Sequence, residues 1–250
     1  MNPPSVELVA EVATNHGGSL ALAQEFIHRY ADAGVTWVKF QITRVRHLRP
    51  ADPQWTWFQQ AELPDDAWST LAETCTRAGV GFLATVYHAD DVSLLAALHP
   101  AAVKIGSGEA GEVSLARAIV ASDIPRVIVG CGLVGPTKSP FLRHLGRAPA
   151  VHFLRTVSRY PCPSSAAQAD YSTYYGWSDH CVGLEGCYTA AIAGARLIEK
   201  HVYLPNQARA VQPWEASVAD MAHLRRWLND DPQRFRGRWQ YVSQVSEAPR

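Results

Sequence analysis

Short apolar runs recur along the whole chain, and the stretches between them carry apolar side chains at helical spacing. The runs cover residues 6–12, 35–42, 81–86, 101–105, 126–131, 150–155, 176–178 and 196–201. Such runs fit strands buried on both faces, as parallel sheets require. The first intervening helix is set by Ser19 as its cap, and Gly34 stops it. Leu20, Ala23, Ile27 and Tyr30 sit at helical spacing, and Leu22 and Phe26 widen the apolar face. Further helices are predicted over 64–79, 90–98, 112–122, 140–145 and 185–194. A last one is predicted over 213–228, with Met221, Leu224 and Trp227 on one face. Residues 43–63 read as a polar, Trp-rich loop, and 163–175 as a segment without clear periodicity.

Eight strands alternating with helices in about 250 residues predict an α/β fold of one domain, a TIM (β/α)8 barrel over residues 1–240 with a tail over 241–250. An open doubly wound sheet is the alternative. Against it, the first strand-to-helix turn, Ala13 to Gly18, is no G-x-G-x-x-G fingerprint, and no P-loop is present.

In a barrel the carboxyl ends of the strands share one mouth. In chain order this mouth collects Glu11, then Lys39 and Gln41, then Thr85, then Lys104, Ser107 and Glu109. Ser158 and Tyr160, Ser178 and His180, and finally His201 complete it. His180 and His201 follow successive strands of one β-loop-α-β unit, so their imidazoles can meet. They form either a metal site that two nitrogens leave incomplete or a pair of hydrogen-bonded structural histidines. Lys39 and Gln41 share a strand face, with Val38 and Phe40 turned to the helices. A lysine inside an apolar strand needs an anion or a carboxylate. Lys39 and Lys104 therefore suggest a phosphoryl dianion between them, with Thr and Ser hydroxyls around it. The other reading pairs each lysine with a barrel carboxylate such as Glu11 or Glu109.

Composition narrows the class. The chain is 47% hydrophobic and 18% charged, with a formal net charge of zero. That leaves no electrostatic footprint for nucleic acid or an anionic membrane, so any bound anion is held by a few local groups. Five scattered cysteines (Cys75, Cys131, Cys162, Cys181, Cys187) fit reduced thiols in a cytoplasmic protein. Residues Met1 to Ser5 lead into no signal-peptide pattern, and no apolar run is long enough to span a bilayer.

Six stretches then carry a resemblance. They are AEVATNHGG (10–18), VKFQ (38–41), VKIGSGE (103–109), SRYPCP (158–163), WSDH (177–180) and IEKH (198–201). In order and spacing they resemble the catalytic barrel of the sialic acid (N-acetylneuraminate) synthases and their pseudaminic and legionaminic acid relatives, from about residue 7 to 228. The resemblance implies a metal-dependent, aldol-like condensation of phosphoenolpyruvate with an aldehyde, giving a 2-keto acid and phosphate. It implies a divalent cation, Mn²⁺ foremost with Mg²⁺, Co²⁺ or Zn²⁺ as alternatives, on His180 and His201. Lys39, Gln41, Thr85, Lys104, Ser107, Ser158 and Ser178 would cradle phosphoenolpyruvate. Glu11, Glu109 and Tyr160 would handle the acceptor and the attacking water. A homodimer is compatible with the resemblance.

The chain departs from the family in three places. Strand five ends Gly130-Cys131-Gly132 where the family has a Ser-Thr-Gly-Met-like turn, so Gly130 brings no hydroxyl. The family's acidic residue for acceptor hydroxyls falls at Gln212, which can hydrogen-bond but cannot act as a base. No antifreeze-like domain follows the barrel in this sequence. These departures lie on the acceptor side and predict an aldehyde other than N-acetylmannosamine, sugar- or nucleoside-derived. Trp55, Trp57 and Trp214 are candidates for a flat acceptor pocket. The competing functions are another enolpyruvyl or phosphoenolpyruvate reaction, or a non-catalytic barrel that binds a partner or a small anion.

Overall fold

Eight strands pair in parallel, each with its chain neighbour, and the last returns to the first. They are β1 (Glu7–Ala13), β2 (Trp37–Ile42), β3 (Gly81–Val86), β4 (Val103–Ile105), β5 (Arg126–Cys131), β6 (Ala150–Thr156), β7 (Gly176–Asp179) and β8 (Leu197–His201). The closed (β/α)8 barrel is thus the one expected from the sequence. This computed structural model describes residues 6–49, 51–143 and 150–230. The segment 231–250, which includes the expected tail, lies outside the described residues.

The strand period of two sorts the side chains into two layers. Val38 and Phe40 join the outer core beneath the helices, while Val9, Leu83, Ala102, Ile128, Leu154 and Leu197 form a separate apolar plug inside the barrel. The polar residues of the mouth stand above that plug, which shields them from water on one side.

The helices follow their predicted signals closely at the start of the chain. In α1 (Leu20–Asp32) the Ser19 hydroxyl accepts from Leu22 N at 3.2 Å, and the chain leaves through Gly34 at φ 80°. Helix α3 (Asp65–Arg77), α4 (Val92–Ala96), α5 (Val113–Val120), α6 (Pro140–Arg143) and α7 (Glu185–Ala193) occupy the expected segments, mostly shorter at their ends.

Two elements differ from the expectation. The Trp-rich loop contains helix α2 (Trp55–Ala61), which buries only Ala61 and so has no apolar stripe for periodicity to reveal. It is held instead by tertiary contacts. Trp57 Nε1 donates to Thr14 Oγ1 at 3.0 Å, and Gly18 runs so close to Gln60 O that no Cβ would fit. The last helix, α8 (Val218–Asn229), begins five residues later than expected, because a capping box of Ser217 and Asp220 starts it. Between β6 and β7 stands only a 3₁₀ turn, Ser164–Ala167, packed on α7.

At the opposite end of the barrel from the mouth, Glu7 is fully bonded. Arg126 reaches both its oxygens at 2.8 Å, Trp37 Nε1 donates at 2.8 Å and Tyr175 at 3.0 Å. Burial opposes its charge, but the hydrogen bonds from Arg126 and Trp37 outweigh it and hold the Glu7 carboxyl below the usual carboxylate range. A carboxyl whose pKa is lower folded than unfolded adds stability above its unfolded pKa and loses it as pH falls through the folded one. Glu7→Gln is therefore expected to cost roughly 1.5–3 kcal/mol at pH 7, the range for hydrogen bonds to charged groups. The gap to the parent protein should close in denaturant melts run in increasingly acidic buffer. A constant gap across pH would show that Glu7 acts through packing alone.

Candidate active site

Strand register brings the polar side chains of the mouth together. Glu11 lies beside Lys39 on one flank and His201 on the other, Thr85 beside Gln41 and Lys104, and Ser178 beside Thr156 and Glu199. All side chains predicted for the mouth except Gln212 line one cavity of about 310 Å³.

An ion-pair network forms its floor. Lys39 Nζ contacts Glu11 Oε2, donates to Thr85 Oγ1 at 3.0 Å and lies 3.6 Å from Glu199 Oε2. Lys104 Nζ is 3.7 Å from Glu199 Oε1 and donates to Ile105 O at 3.2 Å. Ser178 Oγ donates to Glu199 Oε1 at 2.7 Å. Each lysine therefore faces a carboxylate, and for Lys104 that partner is Glu199, a residue the sequence analysis did not single out. The signal was present, since Leu197, Glu199 and His201 alternate in phase along β8.

Burial at this floor splits the ionisable groups. Glu11 is pushed up to about 7 by burial, with Lys39 opposing and the charge on Glu199 adding. For Glu199 burial is outweighed by Lys104, Lys39 and the Ser178 bond, which hold it below the usual carboxylate range. Lys39 is raised because Glu11 and Glu199 overcome its burial, whereas Lys104 is lowered by burial despite Glu199. Glu109, on the loop after β4, makes none of these ion pairs, and burial raises its pKa. Two carboxyl groups poised high and one fixed ionised is a division suited to proton transfer beside a bound anion.

Two glycines at the end of β5 and just beyond it pack against the site. A Cβ at Gly130 would stand 3.1 Å from Ser107 Oγ and 3.3 Å from Lys104 Nζ, so any side chain there would crowd both groups and the glycine lets them approach the strand end. Gly132 N donates to Ser107 Oγ at 3.1 Å, which aims the serine.

The two imidazoles lie with ring centroids 5.4 Å apart. His180 Nδ1 is 2.7 Å from Val157 O and so carries its proton there, leaving Nε2 as a lone-pair donor 2.8 Å from Tyr160 OH. His201 Nδ1 is buried without a partner. Burial lowers both pKa values, and for His201 the neighbouring His180 adds to the effect. Neutral imidazoles, one oriented by a backbone carbonyl and one with an orphaned nitrogen, fit a divalent cation that takes its other ligands from water or substrate. Among the described residues no cluster of three or more His, Cys, Asp or Glu side chains has metal-binding geometry. Beneath His180, buried Asp179 accepts from Lys200 Nζ at 2.6 Å, Trp177 Nε1 at 2.7 Å and Cys181 N at 2.8 Å, which fixes the turn that presents the imidazole.

Gln212 stands apart from the cavity, with Nε2 donating to Ala210 O at 2.9 Å. The acidic residue of this loop is Glu215, which is spent on scaffolding by Asn15, Gln207 and Arg209. Trp57 faces Thr14 and Arg209 rather than the cavity, and Trp214 packs edge-on against Tyr160 at 5.3 Å.

A sequence profile of the NeuB family matches residues 26–226. The chain belongs to the NeuB family. This NeuB barrel is 24% identical over 245 residues to N,N'-diacetyllegionaminic acid synthase of Campylobacter jejuni, covering 84% of the chain and 73% of that protein. It is 26% identical over 225 residues to pseudaminic acid synthase of the same species, covering 80% of the chain and 65% of that protein. Against the spore coat polysaccharide biosynthesis protein SpsE of Bacillus subtilis the figures are 28% over 221 residues, 78% and 59%. The chain thus spans from 59% to 73% of the length of these curated relatives. Among solved structures, the N-acetylneuraminic acid synthetase of Leptospira borgpetersenii, in complex with citrate, shares the NeuB fold. Its TM-score is 0.82 at 23% identity, over 98% of this chain and 93% of that one. No described helix is long and apolar enough to cross a membrane.

Proposed function

We propose that this NeuB-family barrel condenses phosphoenolpyruvate with an aldehyde, forming a carbon–carbon bond and releasing phosphate, with a divalent cation, Mn²⁺ foremost, held by His180 and His201. The observation that carries the reading is the convergence of two lysines, two neutral imidazoles and carboxyls of divided pKa on one cavity. The names of the relatives, synthases of N,N'-diacetyllegionaminic acid and of pseudaminic acid, support the reaction class.

Lys39 and Lys104, with Thr85, Ser107, Ser158 and Ser178, are the groups to hold the enol phosphate. Its negative charge would take over their interactions with Glu11 and Glu199. A cation bound at the histidines would supply Lewis acidity toward the aldehyde oxygen. Carbon attack leaves positive charge at C2, where water adds. The aldehyde oxygen, left with the electron pair of its broken π bond, takes a proton from one of the two carboxyls of raised pKa, Glu11 or Glu109, and the proton that water loses passes to the other. Phosphate then leaves from the hemiketal carbon, its charge met by the lysine ammonium groups. Tyr160, hydrogen-bonded to His180 and half exposed at the rim, is placed to meet the acceptor. Gln212 and Glu215 leave no free carboxylate on the β8–α8 loop for acceptor hydroxyls, which favours an acceptor other than N-acetylmannosamine.

Phosphate release with Mn²⁺, phosphoenolpyruvate and a panel of aldehydes is expected to require all three, and chelation should stop it. Strong turnover of N-acetylmannosamine would remove the altered-acceptor part. Phosphate release without any aldehyde would replace condensation by hydrolysis.

A further inference from the structure

We propose that the cavity bounded by Thr43, Arg44, Leu48, Phe58, Tyr87 and His88 binds a planar, carbonyl-bearing heterocycle carried by the acceptor. The proposal rests on the aldehyde-condensing reading and names the class of its second substrate. This cavity of about 200 Å³ shares Tyr87 and Glu109 with the catalytic cavity, so one ligand can occupy both.

Three observations select the ligand. First, the lining is rich in flat rings. Phe58 and Tyr87 contribute two, and His47 and His88 stack on one another with centroids 3.8 Å apart. Rings of this kind favour a π-face over an aliphatic polyol. Second, two polar atoms of lining residues are buried without a partner, Thr43 Oγ1 and Arg44 Nε. Thr43 and Arg44 are 8% and 6% exposed, so water does not satisfy them. Both atoms can donate, and an acceptor such as a ring carbonyl removes the penalty of leaving them unpaired.

Third, the cations here are already compensated, and the carboxyl of Glu109 adds no positive charge. Arg44 spends its terminal nitrogens on Leu63 O at 3.0 Å, on Glu62 at 3.4 Å and on Asp65. Buried Asp91 neutralises Arg46 at 2.6 Å and faces His47 at 3.2 Å. Among the described residues that line the cavity no uncompensated cation remains to favour a second phosphate, so an uncharged group is favoured over an anion. Size agrees, because a cavity of about 150 Å³ already accommodates a six-membered ring.

The test compares two aldehydes that differ only in the base, uridine 5′-aldehyde and its 1′-deoxy analogue with hydrogen in place of the base, by phosphate release at saturating phosphoenolpyruvate. The expected ratio of kcat/KM is about tenfold or more in favour of the base, the value of one well-made hydrogen bond in such a site. Thr43→Val and, separately, the pocket-filling Leu48→Trp should collapse that ratio toward one, while Thr43→Ser keeps it. A ratio of one in the parent protein, or a ratio indifferent to both variants, overturns the proposal and leaves the condensation reading standing. If neither aldehyde releases phosphate but another of the panel does, the condensation reading stands, and if none of the panel does, it fails. Uridine affinity by calorimetry then decides the pocket, with binding lost in Thr43→Val and Leu48→Trp supporting it and no binding to the parent protein overturning it.

Discussion

Glu199→Gln is expected to lower the unfolding free energy by about 3–5 kcal/mol, the cost of leaving a buried charge without its partner. The carboxylate is held between Lys39 at 3.6 Å and Lys104 at 3.7 Å, all three nearly inaccessible to water. The amide keeps the shape and can keep the hydrogen bond from Ser178, so the loss measures charge rather than packing. For a chain of this size the melting temperature should fall by on the order of 10 °C. Inorganic phosphate should restore more of that loss in the variant than in the parent protein, because an anion between the lysines replaces the missing carboxylate. A melting temperature unchanged by the substitution would mean that Lys104 is neutral in the parent protein. Equal phosphate effects in the two proteins would mean that the anion is held elsewhere.

The second large effect is expected at the imidazoles. His180→Ala and His201→Ala should each abolish stoichiometric binding of Mn²⁺ and reduce turnover by roughly 10³-fold, comparable to the loss of a principal electrostatic stabiliser in an active site. Folding should survive, since truncating His201 removes an orphaned buried nitrogen rather than a satisfied one. Metal content after gel filtration and phosphate release at saturating phosphoenolpyruvate separate the two readouts. Full metal occupancy in both variants would move the cation to other residues. Unchanged turnover with metal lost would make the cation structural.

Much of this architecture is legible along the chain because the barrel repeats one local rule. Residues 81–86 and 126–131 are strands at the bounds that their apolar runs predict, and Ser19 caps the helix it precedes. The mouth is legible for the same reason. Side chains alternate along a strand, so Lys39 with Gln41 on β2, and the ends of β7 and β8, are assigned to the interior before any fold is drawn. Glu199 is harder to read from the sequence because Glu199 and Lys200 are adjacent in IEKH and only the strand phase separates the inward from the outward side chain. Yet Lys200 points away from the cavity and pairs with Asp179, while Glu199 points in. Helix α2 escaped because its stability comes from contacts with Thr14 and Gly18, more than thirty residues upstream, and no periodic stripe records them.

By itself the sequence determined the parallel barrel and most of the polar side chains that stand at the strand ends. Those follow from hydrophobic period and chain order, which are local. Only the tertiary structure decided which lysine faces which carboxylate, that Gln212 turns out of the cavity and Glu215 is consumed as scaffold, and that Thr43 and Arg44 face a second cavity with atoms left unpaired. Pairing energies depend on ångström separations and burial. Those are set by barrel closure and by loops from distant positions meeting over the mouth, and no local pattern encodes them.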